Sequence, residues 1–582
     1  AGVAPSNAVF PIRANSATNR GYIPGALDEA GRLQEFTSAC APFIYREPLL
    51  ANLRGHSLVC EPAGNLIKRS HLSDSGLHVS GVSVHAEKEF LASTDERFRP
   101  CWIASGPDGA LYIADMYRGI VQDEPHMSPY LRQHSAERKM DRPVHLGRIW
   151  RIVPREFAQP PRPRFSTLDE AALVALLAHP GGWWRDQAQM HLVGRRLPQA
   201  IPALREMALG HANAIARLHA LWALEGLRDP NPQDLAPLLD DAAPRVQAAA
   251  LRVLPSLGLA AADLADWLHR HSASPPSDPA RLQMILLLGD LELPEAQRFE
   301  LLQKLLLPVL ADPLMRDAAM SSLSGRELKF FRQLQLTSDP ATPGLGFMME
   351  LLAQAVLKSR EPADAAGLLA LLADSAKSPG HDAALAALRL HRDELRQDPV
   401  ALTAAPAAVE VFPELATLFS WPGHTPPPLA KTEAPPLDPD DQARFVRGRQ
   451  IFLTHCVACH GADGGGVKFL APPLAGSDWV NGSVERLARV LFHGLTGPIS
   501  VRGKRYGPPE VQPVMPPLAA LGNDEIAAVL TYIRREWSNT AGSVSPKEIN
   551  QLRIQSQGRT TPWTEAELAP FTQAEKESTD GQ

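Results

Sequence analysis

Cys456, Cys459 and His460 form the run in which residue type and spacing together prescribe a chemistry, Cys456-Val-Ala-Cys459-His460. Two thiols three positions apart can add to the two vinyl groups of one haem, and the adjacent histidine then lies under the iron as proximal ligand. Zinc would want a second ligand pair, and beyond this run the chain has no further cysteine and one further histidine, His493. A thioredoxin-like thiol pair would need a βαβ setting that the flanking sequence lacks. The run therefore implies one covalent haem c held by Cys456 and Cys459, with His460 on the iron.

The sixth iron position has two candidates after His460, namely His493 and Met515. Met515 is the expected ligand, because the prolines of Pro513-Val-Met-Pro-Pro517 stiffen a loop that presents its thioether. His493 lies in the apolar helical run Leu487–Gly494, where a histidine usually has a packing role. A His/Met pair raises the iron potential and suits electron transfer more than oxygen or peroxide chemistry. The Ala471-Pro472-Pro473-Leu474 turn is the natural source of a carbonyl for the other nitrogen of His460.

These residues need helices to hold them. A helical run, Asp441 to Leu453, leads into the motif. A second is expected from an Asn523 cap through Trp537, with Ile526, Val529, Leu530 and Ile533 on one buried face. The two helices should cross near Gly448, where a missing side chain admits Tyr532. Upstream, residues 403–440 are rich in proline and read as a semi-rigid tether. Residues 166–402 carry a recurring Arg-x-x-Ala signature at Arg185, Arg217, Arg245 and Arg316, with Arg281 as a weaker member. The spacings of 32, 28, 36 and 35 residues indicate a HEAT-like α-solenoid of stacked helix pairs. Residues 1–155 read as short strands, two of them joined by the Gly106-Pro-Asp-Gly109 turn.

Composition excludes several classes. The chain has 582 residues with 58 basic and 64 acidic ones, a net charge of -6, and no basic run that would track phosphates, so nucleic acid is not an expected partner. No apolar stretch reaches the roughly 18 residues of a membrane span. A c-type haem points to an exported, periplasmic location. In that setting Cys40 and Cys60, 20 residues apart, suit a disulfide worth roughly 3 kcal/mol by loop entropy. Cys101 is left over and expected as a buried free thiol.

Residues 441–540, through Phe469-Leu-Ala-Pro-Pro-Leu-Ala-Gly-Ser-Asp-Trp-Val480, His493-Gly-Leu-Thr-Gly-Pro-Ile499, Met515-Pro-Pro517 and Ile526-Ala-Ala-Val-Leu-Thr-Tyr-Ile-Arg534, resemble the cytochrome c domains of pyrroloquinoline quinone-dependent alcohol dehydrogenases. The resemblance implies an all-α class I cytochrome c fold and places Pro472, Pro473, Trp479 and Tyr532 around the haem. Phe98-Arg-Pro100, Gly106–Asp115 and Gly147–Ile152 resemble the last blades of a sugar-dehydrogenase-like β-propeller. The order of propeller, HEAT repeats and cytochrome is similar to large haem proteins of planctomycete and verrucomicrobial genomes.

The expected architecture is thus multidomain: a partial β-propeller (1–155), an α-solenoid (166–402), a linker (403–440), a cytochrome c domain (441–540) and a C-terminal extension (541–582). A whole propeller needs several hundred residues, so 1–155 are expected to be closing blades whose open face meets further blades of this or a partner chain. The solenoid is expected to cover only their near edge. The resemblance implies that a quinoprotein site, with pyrroloquinoline quinone and Ca2+, oxidises an alcohol or sugar and passes electrons through the haem to a redox partner. Asp115, Tyr117 and Arg118 are weak candidates for that site. The alternative is an electron carrier and scaffold without catalysis of its own.

Overall fold

The computed structural model describes residues 6–23, 25–123, 127–159, 164–373, 379–393, 399–426, 436–467, 470–507, 514–537 and 539–571. Alternating apolar runs with turn residues between them fold as β1 (Cys40–Ile44), β2 (Ser57–Glu61), β3 (Leu66–Asp74), β4 (Val79–Ser83) and β5 (Leu91–Ala92) in one sheet. A second, antiparallel sheet holds β6 (Pro100–Ser105), β7 (Leu111–Asp115) and β8 (Arg148–Ile152). The Gly106–Gly109 turn closes β6 onto β7: Ser105 pairs with Leu111, the Gly106 N–H donates to Ala110, and Gly109 takes φ +73°. Tyr45, Leu58, Ile67, Ile103, Leu111 and Ile113 fill the space where the sheets meet. Among the described residues the sheets close no barrel. One cross-strand row, Trp102–Ala114–Ile149, faces outward, with Trp102 63% and Ile149 75% exposed.

From Glu170–Leu176 to Pro379–Asp393 the described residues are mainly helical around one continuous core. The recurring arginines have a physical reason. Arg185 donates to the carbonyls of His179 and Pro180, Arg217 to those of His211 and Ala212, and Arg316 to those of Leu310 and Ala311. In each case the arginine ties its helix to carbonyls five and six residues earlier, in the turn that precedes the helix, and satisfies acceptors that a helix end leaves open. Arg245 departs from the pattern and pairs with Asp74 of the first sheet. Residues 400–421 do not behave as a tether. Leu402, Leu415, Leu418 and Phe419 are buried in the helical core, because apolar side chains interleave with the prolines there. The remaining prolines at 427, 428 and 435 lie outside the described residues.

The two regions are joined over a long front of loops and one sheet arm, while the Trp102–Ile149 row stays exposed. Glu47, 1% exposed, accepts from the Trp183 N–H at 2.9 Å and from the Ser105 hydroxyl at 3.0 Å. Trp184 donates to the Pro107 carbonyl, and Arg46 pairs with Asp186. Farther on, the β3–β4 arm reaches across several helices. Leu77 packs on the helical core, Asp74 meets Arg245, and His78 Nε2 lies 2.8 Å from Asp312. The arm is long enough for this because β3 runs to Asp74, well past the last residue paired to β2.

Candidate haem centre

Asp438 starts the first helix of the C-terminal module, Pro439–His455, by accepting from the Asp441 N–H at 2.8 Å, with proline at the first turn. The helix ends at Cys456, and Val457–His460 makes one further turn, so both thiols and the imidazole emerge together. The loop then folds back. At Gly466, φ +80°, a Cβ would stand 2.7 Å from the Ala471 carbonyl, so glycine alone lets the Pro472 segment close over His460. His460 is 8% exposed, and its Nδ1 lies 3.1 Å from the Pro472 carbonyl. A carbonyl only accepts, so Nδ1 carries the proton and Nε2 keeps its lone pair for a metal. Burial pushes the imidazole below its ordinary pKa, with the Pro472 bond opposing, and the ring stays neutral. Burial likewise pushes the Cys456 thiol up to about 12, helped by Cys459.

A cleft of about 1280 Å³, its mouth included, opens beside these groups and is lined by Cys456, Cys459, His460, Pro472, Pro473, Trp479 and Met515. Its remaining walls are mainly aliphatic, among them Leu487, Leu491, Leu530 and Ile533. Two thiols, a neutral imidazole nitrogen, a thioether and an apolar slot fit a haem c, whose flat face is apolar and whose iron takes nitrogen and sulfur. Trp479 donates to the Ser500 carbonyl at 2.8 Å and carries the Arg486 guanidinium 4.2 Å above its ring.

Met515 reaches the cleft through a short strand pair, Leu495 opposite Met515 and Thr496 opposite Val514. Gly494, φ +82°, permits it, because a Cβ there would be 2.6 Å from the Met515 carbonyl. His493 is turned away from the cleft. Its ring sits 6.3 Å from Trp563, and burial pushes its pKa down to about 4. Tyr532 is not among the described residues that line the cleft. It packs between Phe445, Phe452 and Trp537 at 5.2–5.4 Å, on the helix crossing at Gly448, because its position on Asn523–Arg535 faces that helix. Asn523 is the first helical residue and not the cap. The Gly522 N–H donates to Glu525 at 2.9 Å instead.

Sequence reasoning missed three supports. Asn539, 2% exposed, accepts from the Gly476 N–H and donates to the carbonyls of Leu474 and Ile533, pinning the Pro472–Pro473 loop to the last long helix. A lone asparagine leaves no pattern in a sequence. The hairpin Ile499–Val501 with Lys504–Tyr506 forms one wall of the cleft, turning at Arg502 and Gly503 with φ +54° and +76°. Gly503 was its one signal in the sequence, because the second position of such a turn favours glycine. The third support is the C-terminal segment, which belongs to the module. Val544, Ile549 and Leu552 share its core, and the Trp563 backbone pairs with Gly494 and Thr496.

The other candidates lie elsewhere. Asp115, 2% exposed, accepts from the N–H groups of Arg99 and Tyr117, from the Trp150 indole and from Arg148. Arg148 stacks 3.6 Å over the Tyr117 ring, and the Arg118 carbonyl receives Arg99. Asp115 is a saturated corner brace. Cys40 and Cys60 are cross-strand partners with free thiols, and Cys101 is half-buried where burial was expected.

Residues 445–537 match the cytochrome c family model, and residues 2–156 match a domain of unknown function (DUF7133). Cytochrome c-552 of Thermus thermophilus is 38% identical over 96 residues, which are 16% of this chain and 69% of that protein. The chain belongs to the cytochrome c family. Its haem-binding module implies covalently bound haem c and electron transfer, and its membership rests on that C-terminal stretch. The cytochrome c subunits of quinone alcohol dehydrogenases from Gluconacetobacter polyoxogenes and Gluconobacter oxydans are 35% and 33% identical over 111 and 109 residues. The chain spans only 22% of the length of each of those relatives, and those matched residues are 19% and 18% of this chain. No helix among the described residues is long and apolar enough to cross a membrane.

Proposed function

We propose that this chain is an exported, periplasmic electron carrier that takes electrons from a quinoprotein-type alcohol or sugar dehydrogenase of the same complex and delivers them to a redox partner protein. The cleft carries this reading, since it brings His460 and Met515 to one apolar space beside both thiols. Cys456 and Cys459 would hold the haem covalently, with His460 and Met515 on the iron. Bound there, haem c supplies one-electron exchange between ferric and ferrous iron. The residues around it keep His460 neutral and oriented through Pro472, exclude water with aliphatic walls, and fix Met515 in a strand pair. The low dielectric of such a slot and the thioether both favour the ferrous state.

The helical region, read as HEAT-like, serves as a frame, and the sheet region, read as propeller blades, offers the Trp102–Ile149 row to a further sheet. The alternative of a scaffold without its own oxidation site is favoured by one observation. Asp115, the acid among the sheet-region candidates, is saturated by internal bonds, which leaves it no free lone pair for a quinone or Ca2+. Pyrroloquinoline quinone and Ca2+ would then be bound by the partner dehydrogenase.

The test is reduction of the purified holoprotein by a quinoprotein alcohol dehydrogenase and its alcohol, and then by alcohol alone with added quinone and Ca2+. Haem reduction only with the dehydrogenase supports the carrier reading. Reduction by alcohol, quinone and Ca2+ alone would place the oxidation site on this chain, and no reduction in either arm would defeat the proposal. Met515→Ala should give a high-spin, ligand-accessible iron and lower the potential by a sizeable part of the roughly 0.8 V span that axial ligands command. An unchanged low-spin spectrum and potential would remove Met515 from the iron.

A further inference from the structure

Three cysteines outside the haem motif come together where the two sheets meet. Cys40 on β1 and Cys60 on β2 are directly opposed in the antiparallel register, beside a bulge between Cys40 and Phe43. Opposed residues in such a pair have Cα atoms roughly 4.5–5.5 Å apart, inside the roughly 4.4–6.8 Å that a disulfide spans. Cys60 is buried and Cys40 half-buried at these opposed positions, so the two side chains leave adjacent strands side by side. Cys101 comes from the other sheet and is oriented differently. Its Sγ donates to the Ala114 carbonyl at 3.5 Å, while Cys40 Sγ reaches the Cys101 carbonyl at 3.8 Å.

We propose that Cys40 and Cys60 are joined as a disulfide in the exported protein, and that this bond locks the loop by which the sheet region grips the first helices. The proposal rests on the periplasmic reading for its oxidant, a disulfide-bonded thiol oxidase. Cys40 attacks that disulfide, forming a mixed disulfide and releasing one oxidase thiol. Cys60 then attacks the Cys40 sulfur and releases the second. Two electrons pass from the Cys40–Cys60 pair to the oxidase, and the two protons end on its thiols. Cys40 is the attacking group because it is partly exposed and its thiol is held below the ordinary value by the Cys60 bond. Cys60 is fully buried, and both Cys60 and Cys101 are pushed up, Cys60 first by its bond to Cys40 and Cys101 first by burial.

The closed loop spans the residues that make the joint. Arg46 pairs with Asp186, Glu47 accepts from Trp183, and Arg54 donates to the Pro180 carbonyl. Tyr45 donates to the Gly109 carbonyl at 2.6 Å and fastens the same loop to the second sheet. A covalent tie at the base of this loop limits how far those partners can separate.

The test uses the exported, haem-loaded full chain, alkylated with N-ethylmaleimide and mapped without reduction. Its haem thiols are consumed as thioethers, so Cys40, Cys60 and Cys101 are the thiols in question. The expected result is a linked Cys40–Cys60 peptide pair that vanishes on reduction, with label on Cys101. Cys101→Ser should keep the link, Cys60→Ser should abolish it and put label on Cys40, and reduction should speed proteolysis between residues 41 and 59. Haem-loaded protein with all three thiols labelled, even after native treatment with oxidised glutathione, would overturn the disulfide and leave electron transfer standing. A link that includes Cys101 would also overturn it. An intact link on protein whose haem no dehydrogenase reduces would instead strike the functional reading.

Discussion

The sheet region and the haem module are attached to the helical region in opposite ways. The first is bound through a buried carboxylate, an indole donor, ion pairs and an apolar side chain spread from Arg46 to His78. The described residues of the haem module pack around cores of their own, distinct from the helical core. Sheets and helices thus make one frame, while the module's described apolar residues cluster among themselves.

The largest test of this contrast separates the pieces. Residues 438–582, expressed in a host that matures c-type cytochromes, should give a soluble holoprotein with the full chain's spectrum and potential. Residues 1–160 alone should aggregate, because they lose the partners of Glu47, Leu77 and Pro107. Size-exclusion chromatography and visible spectra decide both, and a soluble, folded sheet fragment would break the comparison.

Next comes Gly448→Ala. A Cβ there would stand 2.0 Å from the Ala528 carbonyl, so the helices must move apart. The expected cost is about 3 kcal/mol, at the upper end of overpacking effects. It should appear in the denaturant midpoint of the haem module and leave the frame's transition in place.

Glu47→Ala is the converse substitution. It orphans the Trp183 N–H and the Ser105 hydroxyl in a buried joint, at about 2 kcal/mol. The frame's transition should shift and the haem potential should not.

The smallest effect is that of acid. Asp74 is held below the ordinary carboxylate range first by the Gly76 N–H and then by Arg245. Asp312 is also depressed, since the His78 and Leu314 bonds outweigh burial. Groups depressed in the fold stabilise it fully above their unfolded pKa, near 3.9, and lose that contribution as pH falls through the folded value. Protection of the β3–β4 amides, relative to their intrinsic exchange rates, should therefore be steady from pH 7 to about pH 5 and fall below about pH 4. An arm equally protected at pH 3 would mean that Leu77, not the charges, holds it.

How much was legible in the sequence differed between regions for a local reason. Cys456, Cys459, His460 and the Pro472 carbonyl lie within 17 positions, so chain geometry brings them together whatever surrounds them. The arginine repeat was legible for the same reason at Arg185, Arg217 and Arg316, which bond five and six residues back. The sheet region's joint to the helices was not, because Asp74 meets Arg245 across 171 positions and His78 meets Asp312 across 234. Tyr532 meets the helix at Gly448 as the crossing pattern implies, but it lies off the cleft wall, because that contact turns its ring toward Phe445, Phe452 and Trp537.

The sequence by itself determined the haem chemistry, the helical period and the tight turn at Gly106–Gly109, each set by neighbours in the chain. Only the tertiary structure decided that Met515 and not His493 faces the cleft, that Asn539 and the C-terminal segment support it, and that Arg245 leaves its repeat role for Asp74. Those outcomes depend on which distant surfaces pack together, and burial and hydrogen-bond satisfaction over the whole chain select among the alternatives that local spacing leaves open.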